Sequence, residues 1–152
     1  MPNTSNPDDQ AVKDLFARAR TIAVVGLSPN ESKDSYRVAS YLKSRGYRII
    51  PVNPTVREIL GEPSYADLRC IPDAVDVVDV FRRSEYVPEI AEQAAAIGAK
   101  ALWLQLGITH EQAARIAAQA GLLVVQDACM LVEHKRLSQD GAIDLKPLKG
   151  KR

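Results

Sequence analysis

A doubly wound α/β fold, with a parallel sheet of about five strands and helices on both faces, follows from three features of this 152-residue sequence. Short β-branched runs alternate with helical stretches along the chain. The runs are almost continuously apolar, as expected of strands covered on both faces. The helical stretches also stop at glycines, which readily take the left-handed conformation that closes a helix.

The chain opens with a polar lead-in, residues 1–10, expected to be flexible. A first helix is expected over residues 7–19, where Val12, Leu15, Phe16 and Ala19 recur at helical spacing and would dock on the sheet. Residues 21–26 (TIAVVG) read as the first strand. Residues 35–45 read as a helix with Val38, Tyr41 and Leu42 on one face and Gly46 as terminator. The second strand is 47–52 (YRIIPV) and the third 75–81 (VDVVDVF). A helix over 84–97 has Ser84 as its N-cap and tolerates Pro88 in its first turn. Residues 99–106 (AKALWLQL) and 121–126 (GLLVVQ) supply the last strands, and Thr109 and Gln112 open the intervening helix, 109–120, with the spacing of a capping box. Repeated strand–helix–strand units imply right-handed crossovers and a three-layer Rossmann-like sheet, a single domain over residues 11–137. Two connections are long. Residues 27–34 (LSPNESKD) exceed the usual βα loop of about 2–6 residues, and residues 53–74 are longer still, with a short helix expected around 56–60. Both lie at carboxyl ends of parallel strands, where doubly wound folds bind ligands. Residues 138–152 read as a polar, lysine-rich, flexible tail.

Composition narrows the function classes. Hydrophobic residues are 46% and charged residues 26%, which argues against global disorder. A net charge of +1 gives no general attraction for nucleic acid or an anionic membrane, so any anion site has to be local. Cys70 and Cys129 lack CxxC spacing and read as reduced thiols in a cytoplasmic protein. No run has the length of a membrane span, and the N-terminus has no apolar core of a targeting peptide.

Four stretches carry chemistry. In residues 24–37 (VVGLSPNESKDSYR), Gly26 follows a strand directly and would let a ligand approach the backbone. Ser28, Ser32, Lys33, Ser35, Tyr36 and Arg37 then lead into a helix, whose free N–H groups and positive dipole end suit phosphate. Only the first glycine of GxGxxG is present, so a phosphate loop and a plain helix-capping loop both fit. The second stretch ends in Val52, Asn53 and Pro54, where a NAD-binding unit ordinarily carries an acid. Pro54 holds Asn53 extended, giving either a ledge for an adenine ring or simply a rigid strand exit. In the third, Phe81, Arg82 and Arg83 stand at a strand's carboxyl end, where arginine suits phosphate. Asp76 and Asp79 in that strand are expected to pair with basic residues. In the fourth, Gln105 lies where a side chain reaches the crevice, and Trp103 is expected in the core. His110 is expected exposed at a helix start, His134 on the surface or salt-bridged, and Cys129 near the crevice edge.

With VVGLS, KDSYRVASYL, GYRIIPVNP, EILGE, VDVVDVFRRSEYVPEI, WLQLGI and DACMLVEHKRL in this order and spacing, the sequence resembles the CoA-binding domain family, small proteins similar to the N-terminal domain of the succinyl-CoA synthetase α subunit. The resemblance runs from residue 22 to about 137. It implies coenzyme A, or an acyl-CoA, held across the carboxyl edge of the sheet. Gly26, Ser28 and Ser35 to Arg37 would then sit at the phosphates, with Lys33 as a further cation. Val52, Asn53 and Pro54 would lie against the nucleotide, Phe81, Arg82 and Val87 on the opposite wall, and Gln105 near the pantetheine arm. Cys129 would be either a buried structural thiol or one that meets the CoA sulfur. The synthetase also needs a domain with a phosphorylated histidine and a nucleotide-binding β subunit, which the resemblance does not include. No Ser-His-Asp order, HExxH or Walker A pattern is present. A carrier, sensor or accessory module without catalysis of its own is therefore expected. The rival is an NAD(P)-binding redox protein of the same fold, against which the missing glycines and missing acid count. A protein partner is left open; nucleic acid and membrane are not expected.

Overall fold

The computed structural model describes residues 5–138. In chain order they form α1 (Asp9–Arg18), β1 (Thr21–Val25), α2 (Asp34–Ser44), β2 (Arg48–Val52), a hairpin of β3 (Glu58–Ile59) and β4 (Glu62–Pro63), β5 (Val77–Val80), α3 (Val87–Ala96), β6 (Ala101–Leu104), α4 (Glu111–Gln119), β7 (Leu123–Val125) and α5 (Met130–Ser138). The five long strands make one parallel sheet in the order β2-β1-β5-β6-β7. The chain therefore winds outward from β1 in one direction and then from β5 in the other. The seam between β1 and β5 is the switch point, where two connections diverge and leave a crevice.

The strand sequences explain the layers. Val77 and Val78 on β5, and Trp103 and Leu104 on β6, alternate between faces, and both faces are buried. On one side Phe16 of α1, Val38 and Leu42 of α2, and Met130 and Leu137 of α5 pack against Val24 and Trp103. On the other, Val87, Ile90 and Ala94 of α3 and Ala113 and Ala117 of α4 pack against Val78, Val80 and Leu102. Pro51, which cannot donate to a ladder, is tolerated because β2 is an edge strand, and Tyr65 donates its N–H to the Pro51 carbonyl.

Several expectations need correction. The helix anticipated around 56–60 is the β3–β4 hairpin. Leu60 and Gly61 both have positive φ, 56° and 76°, as the two-residue turn of a tight hairpin requires. The first helix, expected over residues 7–19, runs from Asp9 to Arg18, and ahead of it Asn6 exchanges two hydrogen bonds with the Gln126 backbone, at 2.8 and 2.7 Å. The stretch from Ser84 starts as a single 3₁₀ turn, Ser84–Tyr86, without side-chain capping, before α3 proper. His110, not Thr109, caps α4; its Nδ1 accepts from the Ala113 N–H at 3.2 Å. The sequence reading assigned no helix to the last described segment. Met130, His134 and Leu137 nevertheless form the buried stripe of α5, and Arg136 ties that helix to Asp9 of α1. The expected tail lies, beyond Ser138, outside the described residues. Among the described residues no helix is long and apolar enough to cross a membrane.

Candidate functional site

The exits of β5 and β6, with the starts of α2 and α5, line a crevice of about 680 Å³. That volume is in the range of small-molecule sites. Its polar lining is Asp34, Arg37, Arg82, Arg83, Ser84 and Gln105, and its apolar lining includes Phe81, Leu106, Ile108 and Leu131. A smaller crevice of about 350 Å³ adjoins it, lined by Val25, Val52, Pro54, Leu68, Tyr86 and Gln93 among others. Arg82 lines both, with its guanidinium 4.3 Å from the centre of the Tyr86 ring. Stacking holds the cation in place while leaving its N–H edge available.

The loop before α2 folds on itself. Ser35 is buried and its Oγ accepts from the Ser28 N–H at 3.0 Å; Ser28 Oγ accepts from the Asn30 N–H, and Asn30 Oδ1 from Ser32. Ser28 and Ser35 thus brace the loop. Exposed Lys33 is the N-cap residue of α2 and its side chain makes no capping bond, so among the described residues the first-turn N–H groups keep no side-chain acceptor. Arg37 is engaged by Asp34 and by the Ser32 carbonyl, so an anion here would have to draw it from a carboxylate.

Gly26 has a structural reason of its own. Its φ is 88°, and a Cβ at this position would lie 2.7 Å from the Phe81 carbonyl oxygen, so the β5 exit is a close neighbour. Asn53 also has an internal job: its Nδ2 donates to the Leu27 carbonyl at 3.0 Å and its Oδ1 accepts from Thr55. Tyr36 is half-buried against the α1–α2–α5 core. Val87 is completely buried on the α3 face and lines neither crevice. Of the residues singled out, Arg37, Phe81, Arg82, Arg83, Gln105 and Cys129 line the larger crevice, and Val52, Pro54 and again Arg82 the smaller. Tyr86 and the Leu106–Ile108 turn lie inside stretches already quoted but were not singled out as site residues. Exposed Leu106, an apolar side chain in a turn after a strand, was the available signal.

The titratable groups also depart from expectation. Asp76 pairs with backbone, accepting from the Arg20 and Thr21 N–H groups at 2.8 and 3.0 Å. Asp79 is completely buried and has no basic partner among the described residues; Gln105 Nε2 donates to its Oδ1 at 2.6 Å, and burial pushes its carboxyl up to about 7. His134 is buried, not on the surface. Its Nδ1 is hydrogen-bonded to the Tyr41 hydroxyl at 2.8 Å, Phe16, Tyr41 and Tyr47 surround its ring, and burial lowers it to about 4. Cys129 is half-buried and lines the larger crevice.

Comparison with known proteins decides the class. The CoA-binding domain family matches residues 20–135. This chain belongs to that family. Members and neighbours include the uncharacterized protein YneT of Bacillus subtilis, 39% identical over 129 residues, which cover 85% of this chain and 96% of that protein. A structure of a hypothetical protein from Pyrococcus horikoshii superposes with a TM-score of 0.85 at 37% identity, covering 91% of this chain and 99% of that one. The ADP-forming acetate–CoA ligase II of Archaeoglobus fulgidus is 32% identical over 103 residues, 66% of this chain but only 15% of the ligase. The shared part is thus a small share of that enzyme.

Proposed function

We propose that this CoA-binding domain protein binds coenzyme A or an acyl-CoA at the carboxyl edge of its sheet and acts as a non-catalytic cytoplasmic carrier, sensor or accessory module. The observation that carries the reading is the pair of adjoining crevices bridged by Arg82 at the switch point. An elongated ligand with a flat base at one end, charge in the middle and an apolar arm at the other suits that layout. The base rests on Val52 and Pro54 in the smaller crevice. The phosphates meet Arg82, Arg37, Lys33 and the uncapped N–H groups of α2, which donate to anions. The arm follows Phe81, Gln105 and Ile108 past Cys129. Gly26, Ser28, Ser35, Tyr36, Asn53 and Val87 hold the walls in position. Neither histidine is placed for phosphoryl transfer in this reading, since His110 caps a helix and His134 is enclosed.

Native mass spectrometry of the protein taken directly from cells tests the ligand. The expected spectrum carries the added mass of CoA or an acyl-CoA, lost under denaturing conditions. A retained NAD or NADP would overturn the reading in favour of the redox rival.

A further inference from the structure

Gln105 is nine-tenths buried yet lines the larger crevice, and Asp79 lies directly behind it. The Gln105 Nε2 is committed to Asp79 Oδ1 at 2.6 Å, which leaves the amide oxygen to face the crevice that Gln105 lines. Asp79 Oδ2 is buried without a partner among the described residues. An ionised carboxylate only accepts hydrogen bonds, so it can hold the amide in one orientation alone: nitrogen inward, oxygen towards the crevice.

We propose that Asp79 is a positioning residue for Gln105, fixing the amide so that its oxygen accepts an N–H from a secondary amide in the bound ligand's arm. The inference rests on the CoA reading, because the pantetheine arm is built around such amides. It adds a recognition element that distinguishes an amide-bearing arm from a plain acyl chain.

The arrangement also couples recognition to pH. A protonated Asp79 can donate, so the Gln105 amide can turn over and present its NH₂ group to the crevice instead. Burial of Asp79 places that change at about 7. Its register neighbours Val24 on β1 and Trp103 on β6 are apolar. The charged and titratable groups on the surrounding crevice are Asp34 and Arg37 of α2, Arg82 and Arg83 after β5, and the Cys129 thiol before α5.

Calorimetric titration of the full chain with CoA, and with adenosine 3′,5′-bisphosphate, which lacks the arm, tests the proposal. Gln105→Leu is expected to weaken CoA by about three- to tenfold at pH 8, the worth of one hydrogen bond, and to leave the bisphosphate unchanged. That penalty should shrink as pH falls from 8 to 6, and Asp79→Asn should abolish its pH dependence. Titrations of the ligand itself cancel, since parent and variant bind the same molecule. Should Gln105→Leu fail to fold, the parent should gain CoA affinity between pH 6 and 8 more steeply than Asp79→Asn. CoA binding by the parent with an unchanged Gln105→Leu affinity, or a penalty constant with pH, overturns the positioning role and leaves the CoA reading standing. No CoA binding by the parent overturns both.

Discussion

Asp79 and His134 are both buried against the α1–α2–α5 side of the sheet, and burial favours the neutral form of each. The consequences for stability have opposite signs. Asp79 is raised from 3.8 to about 7, so between those values the folded chain holds a proton that the unfolded chain has lost, and stability falls as pH rises. His134 is lowered from 6.5 to about 4, so between those values the unfolded chain is protonated and the folded chain is not. Its contribution is complete above 6.5 and is lost as pH falls towards 4. The two slopes offset one another in the parent. Urea unfolding across pH 4–7 should therefore show Asp79→Asn gaining stability with rising pH and His134→Gln losing it, with the parent flatter than either. Parallel profiles for all three proteins would mean that these burials do not set the titrations.

At the scale of elements, the loop joining β1 to α2 shows how much of a position's surroundings a sequence leaves unsaid. A glycine after the first strand was legible, but its partner was not, because the β5 exit meets it only through tertiary structure. Gly26→Ala forces a Cβ against the Phe81 carbonyl at positive φ and should lower stability by about 1–3 kcal/mol, read from urea unfolding. A variant as stable as the parent would show that the seam between β1 and β5 is slack. The five long strands were readable because parallel strands buried on both faces leave unbroken apolar runs. The β3–β4 hairpin was not, because four strand residues around a Leu–Gly turn leave no periodic signal. Helix α5 escaped notice because a histidine occupies the middle of its buried stripe. The site was legible to the same degree. Arg82, Phe81 and Gln105 sit on strand exits that the alternation already located, whereas Tyr86, Leu131 and the Leu106–Ile108 turn reach the crevice through helices and loops whose approach only the assembled fold defines.

For the molecule as a whole, a net charge of +1 conceals a local arrangement: three arginines, Arg37, Arg82 and Arg83, face one crevice at the switch point. The strand end that would carry the ribose-binding acid of a NAD site instead carries Asn53, which ties the neighbouring loop. Anion recognition centred on Arg82 is the central claim, and calorimetric titration of the parent and of Arg82→Ala with CoA, acetyl-CoA, NAD and NADP tests it most directly. A charge-assisted bond to phosphate is worth about 1.5–3 kcal/mol, so the CoA compounds should bind the parent tightest and Arg82→Ala should weaken them by about tenfold or more. A parent that prefers NAD or NADP, or a folded Arg82→Ala protein that binds CoA as the parent does, would contradict it.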